Sequence, residues 1–117
     1  MLSDFPDSES LFQTAKKEQL YQKLIVQLQK DFALANIDID LTLNMESTKL
    51  QIFLREKMYF LILEKFTDYL NLLYVIDVPE KAFKGIRITD VVEVAEQVAF
   101  LVLKRELQKV RLKAKYS

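Results

Sequence analysis

The stretch MESTKLQIFLREKMYFLILEKFTDYLNLLYVI, residues 45–76, decides the fold. On a helical wheel Ile52, Tyr59, Ile62, Leu63, Phe66, Tyr69, Leu70, Leu73 and Ile76 share one broad face, and Leu54, Leu61 and Leu72 widen it. The polar stripe that remains, Lys57, Glu64, Asp68 and Asn71, is narrow and is interrupted by Phe60 and Val75. A helix apolar around most of its circumference must be covered on several sides. Residues 45–76 are therefore expected to form the central helix, with Asn44 or Ser47 as its cap.

Upstream, Tyr21, Ile25, Leu28, Phe32 and Ala35 recur at spacings of three and four, with Leu24 widening the stripe and Lys16, Lys17, Lys23 and Lys30 largely elsewhere. This predicts one amphipathic helix from Ser8 to Ala35, started by Asp7 or Ser8 and ended by Asn36, which tolerates the left-handed conformation. The connecting NIDIDLTLN, residues 36–44, alternates Ile37, Ile39, Leu41 and Leu43 with Asp38, Asp40 and Thr42. Period two predicts an extended segment lying over the bundle; a short pairing with GIRIT, residues 85–89, is the alternative. Downstream, Asp77 and Glu80 have the spacing of a capping box around Pro79, which predicts a short helix over 79–84 capped by Asp77. Thr89 or Asp90, with Glu93 following, caps the last helix, whose apolar residues are Val91, Val94, Ala95, Val98, Leu101, Val102, Leu107 and Val110.

A single Gly and two Pro among 117 residues argue against many short strands. The expected fold is all-α: one domain, an elongated antiparallel bundle of three long helices plus one short helix, with an extended connecting segment and a flexible N-terminus over residues 1–7. With no Cys and no His, the usual zinc sites and Ser/His or Cys/His nucleophiles cannot be built. The carboxylate pairs Glu64/Asp68 and Glu93/Glu96 read as solvated helix surface, and DIDLTLNMESTK, residues 38–49, has Leu43 and Lys49 where a calcium loop needs Gly and Glu. No catalytic, cofactor-binding or metal-binding residue is assigned, and the reading is non-enzymatic. The start MLSDFPDSES is acidic, unlike a signal peptide. The longest uncharged run, eight residues from Tyr69 to Ile76, falls short of the roughly 20 that span a bilayer. A cytoplasmic protein is expected.

LIVQLQKDF (24–32), LLYVIDVPE (72–80) and LVLKRELQKVRLK (101–113) together resemble a group of short all-helical bacterial proteins in which an LYxIDVxE-like segment joins two helices. A basic stretch follows it near the C-terminus of those proteins. The resemblance implies a helical fold and a bacterial origin and brings no functional residue with it.

Two surfaces are expected to make contacts. Helices of about 26–32 residues extend about 40–48 Å, so a thin bundle leaves apolar surface uncovered. Leu54, Phe60, Leu61, Leu72, Val94, Leu101 and Val102 are the candidate interface of a homodimer or of a protein partner docked by an adaptor. The net charge is zero, with 17 basic and 17 acidic residues, but the end of the chain concentrates Lys104, Arg105, Lys109, Arg111, Lys113 and Lys115 around one Glu106. These six are the candidate electrostatic contact. Nucleic acid is the alternative partner and the less expected one, because no groove-reading motif accompanies them.

Overall fold

In the computed structural model, which describes residues 5–116, three residues other than glycine adopt left-handed backbone: Gln19, Asn36 and Asp77, with φ of 61°, 62° and 69°. Each closes a helix with the same pair of hydrogen bonds. Gln19 N–H donates to the Lys16 carbonyl (3.0 Å) and Leu20 N–H to that of Ala15 (2.8 Å). The pairs Asn36 to Ala33 and Ile37 to Phe32, both 2.9 Å, repeat the pattern, as do Asp77 to Tyr74 (3.1 Å) and Val78 to Leu73 (3.2 Å). This is the Schellman motif, and its usual apolar contact is supplied by Leu20, Ile37 and Val78, the first two buried and the third packed half-buried on the core.

These stops correct the expected architecture. The helix predicted from 8 to 35 is two helices, α1 (Ser8–Lys17) and α2 (Tyr21–Leu34), separated by the turn at Gln19. The helix predicted over 45–76 is also two, α3 (Ser47–Glu64) and α4 (Phe66–Ile76), meeting at Lys65, whose φ of −140° and ψ of 58° lie outside the helical region. A short 3₁₀ helix follows at Glu80–Gly85, then α5 at Val91–Tyr116. The protein is all-helical, with no strand among the described residues. With extents of 36 × 27 × 25 Å and a radius of gyration of 13.3 Å, it has the size expected of a globule of its length, about 13 Å, and not that of an elongated bundle.

The central element is α5, which packs against α1, α2, α3 and α4. It buries Ala95, Val98, Ala99, Val102, Leu103, Leu107 and Val110, mainly against Leu50, Leu54, Met58 and Leu61 of α3 and Leu24, Ile25, Leu28 and Phe32 of α2. The buried stripe of α3 thus runs opposite to the broad face read from its sequence: Ile52, Tyr59 and Leu63 point outward. The segment between α2 and α3 forms no strand, but its alternation holds, with Ile37 and Leu41 buried, Ile39 half-buried and Asp38, Asp40 and Thr42 exposed; Leu43 is exposed. Side chains of α2 satisfy its carbonyls: the Tyr21 hydroxyl donates to Met45 (2.7 Å) and the Gln29 amide to Leu41 (2.9 Å). A buried carbonyl without such a donor would be costly.

Three cap assignments need correction. The residue preceding α3 is Glu46, with no side-chain cap, so Asn44 lies exposed beyond the helix start. Asp77 does not open the helix after it; it ends α4 in the left-handed region, and the 3₁₀ helix begins after Pro79 with neither Asp77 nor Glu80 making a capping-box bond. At α5, Asp90 Oδ1 accepts the Glu93 N–H at 2.8 Å and Thr89 donates its hydroxyl to the Glu93 carboxylate. Of the N-terminal stretch 1–7, residues 1–4 lie outside those described; Asp7 accepts the Ser10 N–H at 2.9 Å, and the half-buried Phe5 ring lies 5.5 Å from the Arg111 guanidinium.

The left-handed Gln19 yields a test. Replacing it with Gly relieves the Cβ clash and is expected to raise stability by roughly 1 kcal/mol in urea unfolding. In an unbroken helix the same substitution would lower stability by about 1 kcal/mol, so a loss of that size would reject the turn.

Candidate functional site

Helix α5 places Arg105, Glu106, Lys109 and Lys113 at spacings of one, three and four, on the side that meets α2 and the end of α4. Facing them on α2 are Gln27 and Asp31, one helical turn apart and both buried. Lys109 Nζ donates to Asp31 Oδ2 at 2.5 Å and to the Ile76 carbonyl at the end of α4 at 3.1 Å, and lies 3.1 Å from Glu106 Oε1. The Gln27 amide donates to both Asp31 oxygens at 3.2 Å and accepts from Lys113 Nζ at 2.6 Å.

Glu106 is 0% exposed, and as a carboxylate neither of its oxygens would accept a good hydrogen bond. Burial, reinforced by a hydrogen bond with Asp31 and by that neighbour's negative charge, pushes its pKa up to about 9, with Lys109 pulling the other way. At neutral pH it is therefore a neutral acid whose O–H is donated to Asp31. Burial also acts to raise the pKa of Asp31, but hydrogen bonds from Glu106, Lys109 and Gln27, together with the Lys109 charge, hold it below its ordinary value. The inner trio Asp31, Glu106 and Lys109 then carries one cation and one anion, the arrangement that best tolerates removal from water.

The remaining tail cations tie other junctions. Arg105 donates through Nε to the Asp77 carbonyl (2.8 Å), through Nη2 to the Asp77 carboxylate (2.9 Å) and through Nη1 to Gln108 (3.0 Å). Arg111 grips both oxygens of Glu18, at 3.0 and 2.8 Å, beside the left-handed Gln19. Arg105, Lys109, Arg111 and Lys113 are thus engaged inside the chain. Lys104 lies 5.1 Å from the Phe100 ring and Lys115 5.5 Å from that of Tyr116, and neither has an ion-pair partner among the described residues.

The candidate interface residues do not come together. Leu54, Leu61, Leu72 and Val102 are core, and Val94 and Leu101 are half-buried; Phe60 alone of the seven is exposed, at 46%. The two bends fold α1–α4 around α5, so surface expected to be open is covered by the same chain. What lies open is the opposite side of α3 and α4. Ile52, Tyr59 and Leu63 are exposed on one side of α3, with the exposed Glu56 between the first two, and Phe66, Leu70 and Tyr74 are exposed on α4 beyond the bend. Sequence reading missed this because both sides of 45–76 are apolar. One usable signal was present: Leu50, Leu54, Met58 and Leu61 also recur at three and four.

No group of carboxylates among the described residues is placed to hold a metal ion. No helix of the structure is long and apolar enough to cross a membrane. In comparisons with protein-family models, curated proteins and solved structures, nothing matches the chain.

The buried acid sets a pH dependence. Glu106 ionises near 4.5 in the unfolded chain and near 9 in the folded one, so between these values only the unfolded state releases the proton. Stability should fall with rising pH by up to about 1.4 kcal/mol per unit and level off once the folded acid has ionised. Asp31 acts in the opposite sense: its contribution is present above its unfolded pKa of 3.8 and is lost as pH falls through its lowered folded value. Glu106→Gln keeps a donor toward Asp31 and cannot ionise. Urea midpoints measured across this range should decline in the wild type and stay nearly flat in the variant; equal slopes would show that Glu106 is not the titrating group.

Proposed function

We propose that the protein works by association and not by catalysis, and that it forms a two-fold homodimer through the outer side of α3 and α4. The observation that carries this is the exposed set Ile52, Tyr59, Leu63, Phe66, Leu70, Tyr74. Phe66 is 54% and Tyr74 84% exposed, and Asp68 is the one charged residue in α4. Within each helix the spacing of four or seven is that of a seam that receives the side chains of another helix. Large apolar side chains exposed together on one helix side mark an interaction site, and a two-fold axis lets one patch cover its own copy. This surface replaces the Leu54, Leu61, Leu72 and Val102 expected from sequence, which are spent on the core.

The internal engagement of Arg105, Lys109, Arg111 and Lys113 argues against nucleic acid as the partner, since phosphate contacts need cations free to neutralise them. Light scattering after size exclusion should give twice the 13.8 kDa chain mass at micromolar concentration. Leu63→Lys or Leu70→Lys should return it to the mass of one chain with unchanged helix content, because both side chains lie outside the core. A wild-type mass of one chain would reject the dimer.

A further inference from the structure

A groove of about 380 Å³ runs between the 3₁₀ helix and α5. Its apolar lining is Val78, Pro79, Ala82 and Leu101; its charged lining is Lys81, Lys104 and Arg105, with Gln108 beside them and no carboxylate. We propose that this groove binds a small amphiphilic carboxylate, with the hydrocarbon on the apolar lining and the head group between Lys81 and Lys104.

The volume falls within the range of small-molecule sites, which are mostly apolar with a few placed polar groups. Lys81 has no ion-pair partner among the described residues, and Lys104 has only the Phe100 ring, which orients the ammonium without neutralising it. Three cations and no carboxylate in the lining give the groove a positive potential and favour an anion there. Arg105 plays a different part. Its three hydrogen bonds to Asp77 and Gln108 fix the guanidinium as one wall of the groove. The left-handed turn at Asp77 sends the chain back across α5, which places Val78 and Pro79 opposite Leu101. A carboxylate satisfies the two ammonium groups with one negative head, and the apolar floor selects a hydrocarbon body over a sugar or a nucleotide. The groove shares no residue with the exposed set on α3 and α4, so the two assignments stand or fall separately.

Titration of the isotope-labelled protein with decanoate, below its micelle concentration, tests the site through amide chemical shifts. Saturable shifts confined to residues 78–82 and 101–108 are expected, with little response to acetate, which lacks the tail, or to decanol, which lacks the charge. Lys81→Glu/Lys104→Glu should weaken decanoate binding by about ten-fold or more, and Ala82→Trp, which fills the groove, should abolish it. Both lysines lie outside the core, so the charge-reversed variant stays folded if Ala82→Trp does not. Absence of saturable shifts, shifts centred on Phe66 and Tyr74, equal binding of decanol, or unchanged affinity in the charge-reversed variant would each overturn the proposal.

Discussion

The Lys109 ammonium stands where three helices meet: it belongs to α5, holds Asp31 of α2 and closes on the Ile76 carbonyl at the end of α4. A cation at that place answers two demands. It partners a buried carboxylate that would otherwise be intolerable, and it satisfies a terminal carbonyl at the negative end of a helix dipole. The neighbouring Glu106 fits only as a neutral acid, because a second anion there would have one ammonium to share with Asp31. Removing either member of such a buried pair leaves the other uncompensated, which makes the cluster a condition for docking α2 and α4 on α5.

The other basic residues of α5 extend the same logic to places where the chain turns. Arg111 holds Glu18 next to the left-handed Gln19, and Arg105 holds Asp77, itself left-handed. Turns built on non-glycine residues carry a conformational cost that the rest of the fold must outweigh. Here each turn also gains an apolar contact from the following residue, Leu20 at the first and Val78 at the last. The polarised C-terminal charge is thus largely a set of internal anchors, and Lys104, which anchors nothing, lines the groove together with Lys81.

Helix, extended connection and the lack of Cys and His were legible in the sequence, because they follow from local pattern and composition. The period near 3.6 marked the helical stretches, the alternation at 37–42 marked the connection, Asp90 marked a helix start, and Asn36 marked a helix end. The break at Lys65 was not legible, since Lys65 is neither a Gly nor a Pro and the apolar pattern runs on through it; the break at Gln19 left only the polar run 16–19, which sets Ala15 and Leu20 five residues apart, as its sign. Asp77 was misread for a related reason: Asp followed by Pro and Glu is a good helix start, yet the same aspartate tolerates the left-handed conformation that ends a helix.

By itself the sequence determined that the chain is helical, that its long apolar stretches need cover, and that Cys and His chemistry is missing. Tertiary structure alone decided which side of 45–76 receives that cover. Both Leu50, Leu54, Met58, Leu61 and Ile52, Tyr59, Leu63 satisfy helical spacing, and a wheel weighs them almost equally. The choice came from the bends and from α5, whose small residues Ala95 and Ala99 let a neighbouring helix approach closely and whose buried charges fix α2 and α4. Once leucines and a methionine of α3 had filled the core, the aromatic and aliphatic residues on its other side were left to face outward, because one helix cannot turn two opposite sides toward the same interior.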